Sequence, residues 1–307
     1  MKLMVFDCGG TEIKYGVVED GTIITDKGFF PTPTDCFDSF LSWINDVYQT
    51  HKNEVEGIAV AIPGPTDVVN GIVHGNNAMH YKHDSQVARC LSEKCGCPVV
   101  LDNDAKAAIV AEHRFGALKG CHNAAVFVIG TQVGGGFIIN DQIVRGSTFN
   151  AGEFSFVNTE ASDYTSDDKI LGNKCSTSFL LKRYAEISGN DENINGREFF
   201  ARMPYDDNAR KALDELAANI AIQLYNLYWL LDLETVAIGG GISRQPVLIE
   251  RIREKYREVE RNSYQGRHNC LTPLKITACQ FGNDANLMGA FITYQDQMKK
   301  LVFNTRY

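Results

Sequence analysis

Asp7-Cys8-Gly9-Gly10-Thr11-Glu12-Ile13-Lys14 and Gly130-Thr131-Gln132-Val133-Gly134-Gly135-Gly136 are the two stretches whose pairing decides the fold. Each follows an apolar run (Leu3-Met4-Val5-Phe6 and Ala125-Val126-Phe127-Val128-Ile129) and leads into another (Tyr15-Gly16-Val17-Val18 and Phe137-Ile138-Ile139). Both are therefore expected at hairpin bends, where glycines allow backbone N–H groups to approach and surround phosphate oxygens. Neither cluster leads directly into a helix and neither fits G-x-x-x-x-G-K-[ST], so the pattern is neither Rossmann nor Walker. The turn signals Glu19-Asp20-Gly21 and Asn140-Asp141 close the second strand of each hairpin and predict a duplicated β-meander.

Outward from these bends the sequence reads as alternating strands and helices. Apolar residues Phe37, Phe40, Leu41, Ile44 and Val47 predict a helix over 36–48. Ile58-Ala59-Val60-Ala61-Ile62 reads as a buried strand stopped by Pro63-Gly64-Pro65. A helix over 86–93 and a short strand, Pro98-Val99-Val100-Leu101, run into Asp102-Asn103-Asp104, followed by an alanine-rich helix over 105–113. Asn103 and Asp104 thus sit at a strand end and a helix start, a place favoured by ligands in α/β proteins and equally by ordinary N-caps. The longest helix is predicted over 209–232, and Thr235-Val236-Ala237-Ile238 forms a strand ending in Gly239-Gly240-Gly241, before helices over 246–259 and 285–301. The polar segment 158–174 reads as an exposed loop.

With 307 residues and 44% hydrophobic content the chain can bury two cores of ordinary size. A net charge of −8 and a pI near 5.4 leave no electrostatic footprint for nucleic acid. No apolar run reaches the length of a membrane helix, no export signal is read, and nine cysteines lack paired spacing, so a cytoplasmic protein with reduced thiols is expected. Cys95-Gly96-Cys97 has no second Cys/His pair at zinc-site spacing.

In order, the Asp-x-Gly-Gly-Thr bend, the Pro-Gly-Pro strand end, Asn103-Asp104, the second glycine run, Ala151-Gly152-Glu153 and Gly239-Gly240-Gly241 resemble the ROK (repressor/open reading frame/kinase) family of sugar kinases. The resemblance runs from about residue 3 to 291. It implies an α/β protein with the two-domain actin-like ATPase/hexokinase (ribonuclease H-like) fold, each domain a mixed β-sheet flanked by helices. The domains are expected at 1–118, joined by a C-terminal helix at about 285–307, and at 119–284, with the active-site cleft between them. It implies phosphoryl transfer from ATP, with Mg2+, to a sugar hydroxyl. Asp7, Gly9, Gly10, Thr11 and Lys14 would belong to the first phosphate motif, Gly130, Thr131, Gly134 and Gly135 to the second, and Gly239 and Gly240 to the adenosine motif. Asp104 would be the catalytic base, with Asn103, Gly64, Asn77 and Glu153 around the sugar. A homodimer is also implied.

The chain departs from the family after Ala151-Gly152-Glu153. The usual Gly-His and the Cys-x-Cys-Gly-x-x-Gly-Cys zinc motif are replaced by Phe154-Ser155-Phe156 and a lone Cys175, so no structural zinc is expected. This resembles the zinc-free β-glucoside kinase branch, in which Phe156 would stack on a second sugar ring or merely fill the space of the lost module. A monosaccharide kinase acting on glucose, fructose or N-acetylmannosamine, and a weakly active sensor in which Gln132 crowds the second phosphate loop, remain alternatives. A DNA-binding repressor is disfavoured because no helix-turn-helix precedes the first strand.

Overall fold

The computed structural model describes residues 1–75, 86–161, 165–189, 194–268 and 272–304. Its contacts divide the chain into two units, one of residues 1–114, 145–150 and 284–307, the other of 115–144 and 151–283. The excursion of 145–150 into the first unit has no sign in the sequence pattern.

In unit 1, β1 (Lys2–Cys8), β2 (Glu12–Glu19) and β3 (Ile23–Pro31) form an antiparallel meander. Helix α1 (Phe37–His51) leads to β4 (Ile58–Ile62), which pairs parallel with β1. A small hairpin of β5 (Thr66–Asp67) and β6 (Ile72–Val73) and helix α2 (Val87–Cys95) precede β7 (Val99–Asn103), parallel to β4 and continued by α3 (Asp104–Phe115). The sheet order is β3-β2-β1-β4-β7. Being central and covered on both faces, β1 is an unbroken apolar run. Met4 and Phe6 pack with Phe40 and Ile44 of α1 and Leu91 of α2, while Leu3 and Val5 face the opposite side.

Unit 2 repeats the plan. β8 (Ala124–Ile129), β9 (Val133–Ile139) and β10 (Gln142–Ile143) form its meander. Helices α4 (Thr177–Ser188), α5 (Gly196–Arg202) and α6 (Asp207–Leu231) lead to β11 (Thr235–Gly239), parallel to β8. Helices α7 (Pro246–Asn262) and α8 (Tyr264–Arg267) precede β12 (Lys275–Ala278), giving the order β10-β9-β8-β11-β12. Each sheet is thus mixed, an antiparallel meander plus two parallel strands. Leu213, Leu216, Ile220 and Leu224 of α6 and Leu248 and Ile252 of α7 pack on Phe127, Val236 and Ile238. The Asp206 carboxylate accepts from the amides of Asn208 and Ala209 and fixes where α6 begins.

The chain returns to unit 1 as α9 (Ala285–Asn304), whose Leu287, Ala290, Phe291 and Tyr294 cover the Leu3 and Val5 face of the first sheet. No helix among the described residues is long and apolar enough to cross a membrane.

The segment 158–174 differs from an open loop. Glu160 accepts from Lys169 (2.9 Å) and Lys174 (3.2 Å), Thr159 donates to the Lys169 carbonyl, and Leu171 and Cys175 are buried. Glu160 thus pairs with both of its lysines, and Leu171 and the adjoining Cys175 tie its C-terminal end to the core.

Candidate active site

The strand β7 ends at a corner built from three consecutive polar residues. Asn103, nearly buried, donates from Nδ2 to the Gly64 carbonyl (3.0 Å) and accepts at Oδ1 from the Lys106 amide (3.1 Å). The N-cap function therefore falls to Asn103, whose carbonyl oxygen satisfies an orphan amide of α3. Its second amide proton and second lone pair remain as hydrogen-bonding capacity beyond these two contacts. Asp104 follows as the first residue of α3, with Oδ1 accepting from the Ala105 amide (2.8 Å). Gly64 sits in the Pro-Gly-Pro turn, and its carbonyl accepts also from Thr66 Oγ1 (3.0 Å).

Asp102, fully buried, holds the corner from behind. It takes a two-pronged contact from Arg145, Nη1 to Oδ1 at 2.5 Å and Nη2 to Oδ2 at 2.9 Å, and accepts from Thr293 Oγ1 (2.6 Å) and the Asn103 amide (2.8 Å). A bidentate guanidinium fixes a carboxylate in direction as well as position. The residue two before Asp104 in the chain is thus held by groups from β7, α9 and the 145–150 segment.

The first glycine bend, Gly9 to Thr11, joins β1 to β2 as the sequence predicts. Gly9 donates to the Glu12 carbonyl (3.0 Å), while Thr32 braces the bend through Oγ1 to the Gly9 carbonyl (2.6 Å) and its amide to the Thr11 carbonyl (3.0 Å). Gly10 and Thr11 are left exposed. At its foot, Asp7 accepts from Asn286 Nδ2 (2.9 Å) and lies opposite Lys14 in the ladder. Desolvation of the Asp7 carboxylate raises its pKa above the usual range, outweighing the lowering by Asn286 and Lys14. The Lys14 ammonium lies 3.4 Å from Glu12. The Cys8 thiol is pushed well up by burial and, to a lesser extent, by the charges of Asp7 and Asp104.

In unit 2 the bend is shorter than the glycine run suggests. Gly130, Thr131 and Gln132 form it, and Gly134-Gly135-Gly136 lie within β9 opposite Val128, Phe127 and Val126. Their smallness serves a close crossing. A Cβ on Gly135 would lie 2.2 Å from the Phe154 ring, and one on Gly152 would lie 2.8 Å from Gly136 Cα. Ala151-Gly152-Glu153 thereby lies directly on β9, with Phe154 driven into the core between Phe127 and Phe137. Gln132 turns away from the bend, donating to Asn173 Oδ1 (3.2 Å) and accepting from Ser155 Oγ (3.4 Å). Phe156 is 74% exposed.

The start of α4 docks on this bend, the Thr177 amide on the Gly130 carbonyl (2.8 Å) and Ser178 Oγ on the Thr131 carbonyl (2.9 Å). Beside it opens a pocket of about 690 Å3 lined by Gly130, Thr131, Arg197, Gly241, Arg244 and Asn283 among others. Next to the lining residue Gly241, Gly240 lets the turn after β11 close on the second bend: at φ +94°, a Cβ there would lie 2.1 Å from the Ile129 carbonyl oxygen. Its carbonyl is capped by Ser243 Oγ (2.8 Å). The second bend and the turn after β11 therefore share one concavity, with two arginines on its walls.

Unit 1 thus carries Asp7, Gly9, Gly10, Thr11, Lys14, Gly64, Asn103 and Asp104, and unit 2 carries Gly130, Thr131, Gly134, Gly135, Glu153, Phe156, Gly239 and Gly240. Asn77 lies outside the described residues. Sequence reading did not find Asp102, Arg145 and Asn286, nor the pocket arginines Arg197 and Arg244. Asp102 stands next to the expected pair and was open to notice as a charged residue closing an apolar strand; the others carry no local signal. Among the described residues no three His, Cys, Asp or Glu side chains are grouped to hold a metal ion.

Comparison with known proteins gives these sites a context. The sequence matches the ROK family over residues 4–297. A β-glucoside kinase of Listeria monocytogenes serovar 1/2a is 34% identical over 257 residues, spanning 82% of this chain and 87% of the relative. A β-glucoside kinase of Klebsiella pneumoniae is 28% identical over 297 residues, 94% and 95% of the two chains. A solved ROK family protein of Streptococcus pneumoniae, in complex with sucrose, matches with a TM-score of 0.86 at 28% identity over 98% of this chain and 100% of that one. The fold is the actin-like ATPase/hexokinase fold expected from the sequence. A family match over residues 4–297, from the first strand to the last helix, means that this chain belongs to the ROK family.

Proposed function

We propose that the protein is an ATP-dependent sugar kinase whose acceptor is the 6-hydroxyl of a β-glucoside. The observation that carries the reading is the corner at Asn103 and Asp104, braced by Gly64 and Asp102 beside an exposed glycine bend. Phosphoryl transfer to an alcohol needs positioning, charge neutralisation and a carboxylate that takes the hydroxyl proton as the new O–P bond forms. Asp104 is the proton acceptor, and Asn103, Gly64, Asn77 and Glu153 are the groups that pair with sugar hydroxyls. The pocket lined by Gly130, Thr131 and Gly241 takes the nucleotide, with Gly239 and Gly240 at the strand end that leads into it and its arginines matching the phosphate charge. The amides of Gly9, Gly10 and Thr11 serve phosphate oxygens.

Mg2+ would enter with ATP and would supply positive charge to the transferring phosphoryl group. Asp7, at the foot of the first glycine bend, is the residue of this chain that would hold it. Acceptor choice rests on the two β-glucoside kinases, which are 34% identical over 257 residues and 28% identical over 297 residues. The units correspond to the two domains of the family, the free thiols of the described cysteines suit the cytoplasm, and the family suits a homodimer. ADP release is the test, measured with ATP and Mg2+ against glucose, fructose, N-acetylmannosamine, cellobiose and phenyl β-glucoside. Turnover is expected with the β-glucosides. Absence of sugar-dependent release with every acceptor overturns the kinase reading, and turnover of glucose or N-acetylmannosamine with cellobiose ignored overturns the acceptor assignment alone.

A further inference from the structure

Phe149 combines two features that rarely coincide in a large residue. Its backbone lies at φ +62°, a left-handed conformation that disfavours a bulky side chain, and its ring stacks on His74 with centroids 5.6 Å apart and planes 6° from parallel. Strain of this kind persists only where the surroundings over-determine it, and it gathers at ligand sites. Here Asn150 hooks back across Phe149, its Nδ2 donating to the Thr148 carbonyl (3.0 Å) and to Thr148 Oγ1 (3.1 Å). Both residues are half-buried.

The stack is tethered to the acceptor corner from both sides. The His74 amide donates to the Pro65 carbonyl (2.8 Å), one residue beyond the Gly64 carbonyl that receives Asn103. On the other side, Arg145 grips Asp102, and the four-residue span from Arg145 to Phe149 reaches at most about 14 Å. All of these residues belong to unit 1. A flat, rigid aromatic pair near a sugar hydroxyl's base offers a face for the axial C–H groups of a pyranose, or for an aryl ring.

We propose that the His74–Phe149 pair is the acceptor subsite for the second ring or aryl aglycone of a β-glucoside, and that Phe149 sets the preference for two-ring acceptors over free glucose. This assignment rests on the sugar-kinase reading and gives to Phe149 the stacking role that the sequence suggested for Phe156. It accounts for a strained aromatic at 149: the backbone conformation aims the ring, and Arg145 anchors the segment that carries it.

The test compares kcat and KM of the full chain for glucose, cellobiose and phenyl β-glucoside in wild type, Phe149→Ala, Phe149→Gly and Phe149→Trp. Glycine accepts φ +62° without strain, so Phe149→Gly removes the ring while easing the fold. Both ring-deleting variants are expected to lose on the order of tenfold or more in kcat/KM for the two-ring acceptors, mainly through KM, with glucose changed less than about twofold. Phe149→Trp retains the preference, and Phe156→Ala leaves it unchanged. Equal losses on all acceptors, no loss, or a wild type that uses glucose but neither two-ring acceptor overturns the subsite and leaves the kinase standing. A wild type that phosphorylates no sugar overturns the kinase reading and the subsite with it.

Discussion

Asp104→Asn keeps the shape of the corner and the contact with the Ala105 amide but cannot accept a proton. Turnover is expected to fall by ~10²–10⁴, with ATP and acceptor binding by calorimetry nearly unchanged. Near-normal rates in this variant remove Asp104 from the chemistry. Asp7 makes a different prediction, because its folded-state pKa is raised. Between the unfolded value and that raised value the native state holds more protons than the unfolded state, so stability falls as pH rises through the window and remains lowered above it. Asp7→Asn removes the buried charge and can still accept from Asn286. It should melt higher than wild type at neutral pH without Mg2+, yet need more Mg2+ for turnover; a lower melting temperature refutes this. At this scale the sequence was legible where chemistry is written in consecutive residues, as in Asn103-Asp104. It was silent on Asn286 and Arg145, whose contacts with Asp7 and Asp102 close over separations of 279 and 43 residues.

Helices α1 and α6 lie where their apolar spacing puts them, and α2, α3, α7 and α9 lie close to the ranges read for them. Helices α4 and α5 were missed; α5, of seven residues, offers too little periodicity, although its Asn195/Glu198 capping box is visible in sequence. The Gly134-Gly135-Gly136 run was taken for a bend because glycine marks turns more often than it marks a strand under close crossing by another backbone. The segment 158–174 supports a prediction of its own. Lys169 and Lys174 hold the Glu160 carboxyl below its ordinary pKa, and Leu171 and Cys175 anchor the segment to the core. Purified protein is expected to carry no stoichiometric zinc by elemental analysis and to keep its melting temperature in a chelator. One tightly held zinc per chain, or unfolding on chelation, contradicts it. Chelation should stop turnover only by withdrawing Mg2+, which added Mg2+ restores.

Both units are built on one plan, a meander followed by two parallel strands, and the paired glycine bends at the first turn of each are its visible trace in the sequence. Less legible was the threading, because a segment's membership of a unit is decided by contacts such as Arg145 with Asp102 and not by composition. Ending the chain after Asn283 removes α9 and with it Asn286, Thr293 and the apolar cover over Leu3 and Val5. Such a truncation is expected to aggregate or to bind a hydrophobic dye strongly, with unit 2 retaining its cooperative melt; a soluble protein with an intact unit 1 refutes this. The same threading sets an order of events at the ribosome. All of unit 2 has been synthesised by residue 283, whereas the sheet that emerges first waits for its closing helix, so the usual N-terminal-first sequence of domain completion is inverted. During that interval one apolar face of the nascent first sheet is uncovered, and it is there, over Leu3 and Val5, that a chaperone would find its binding site.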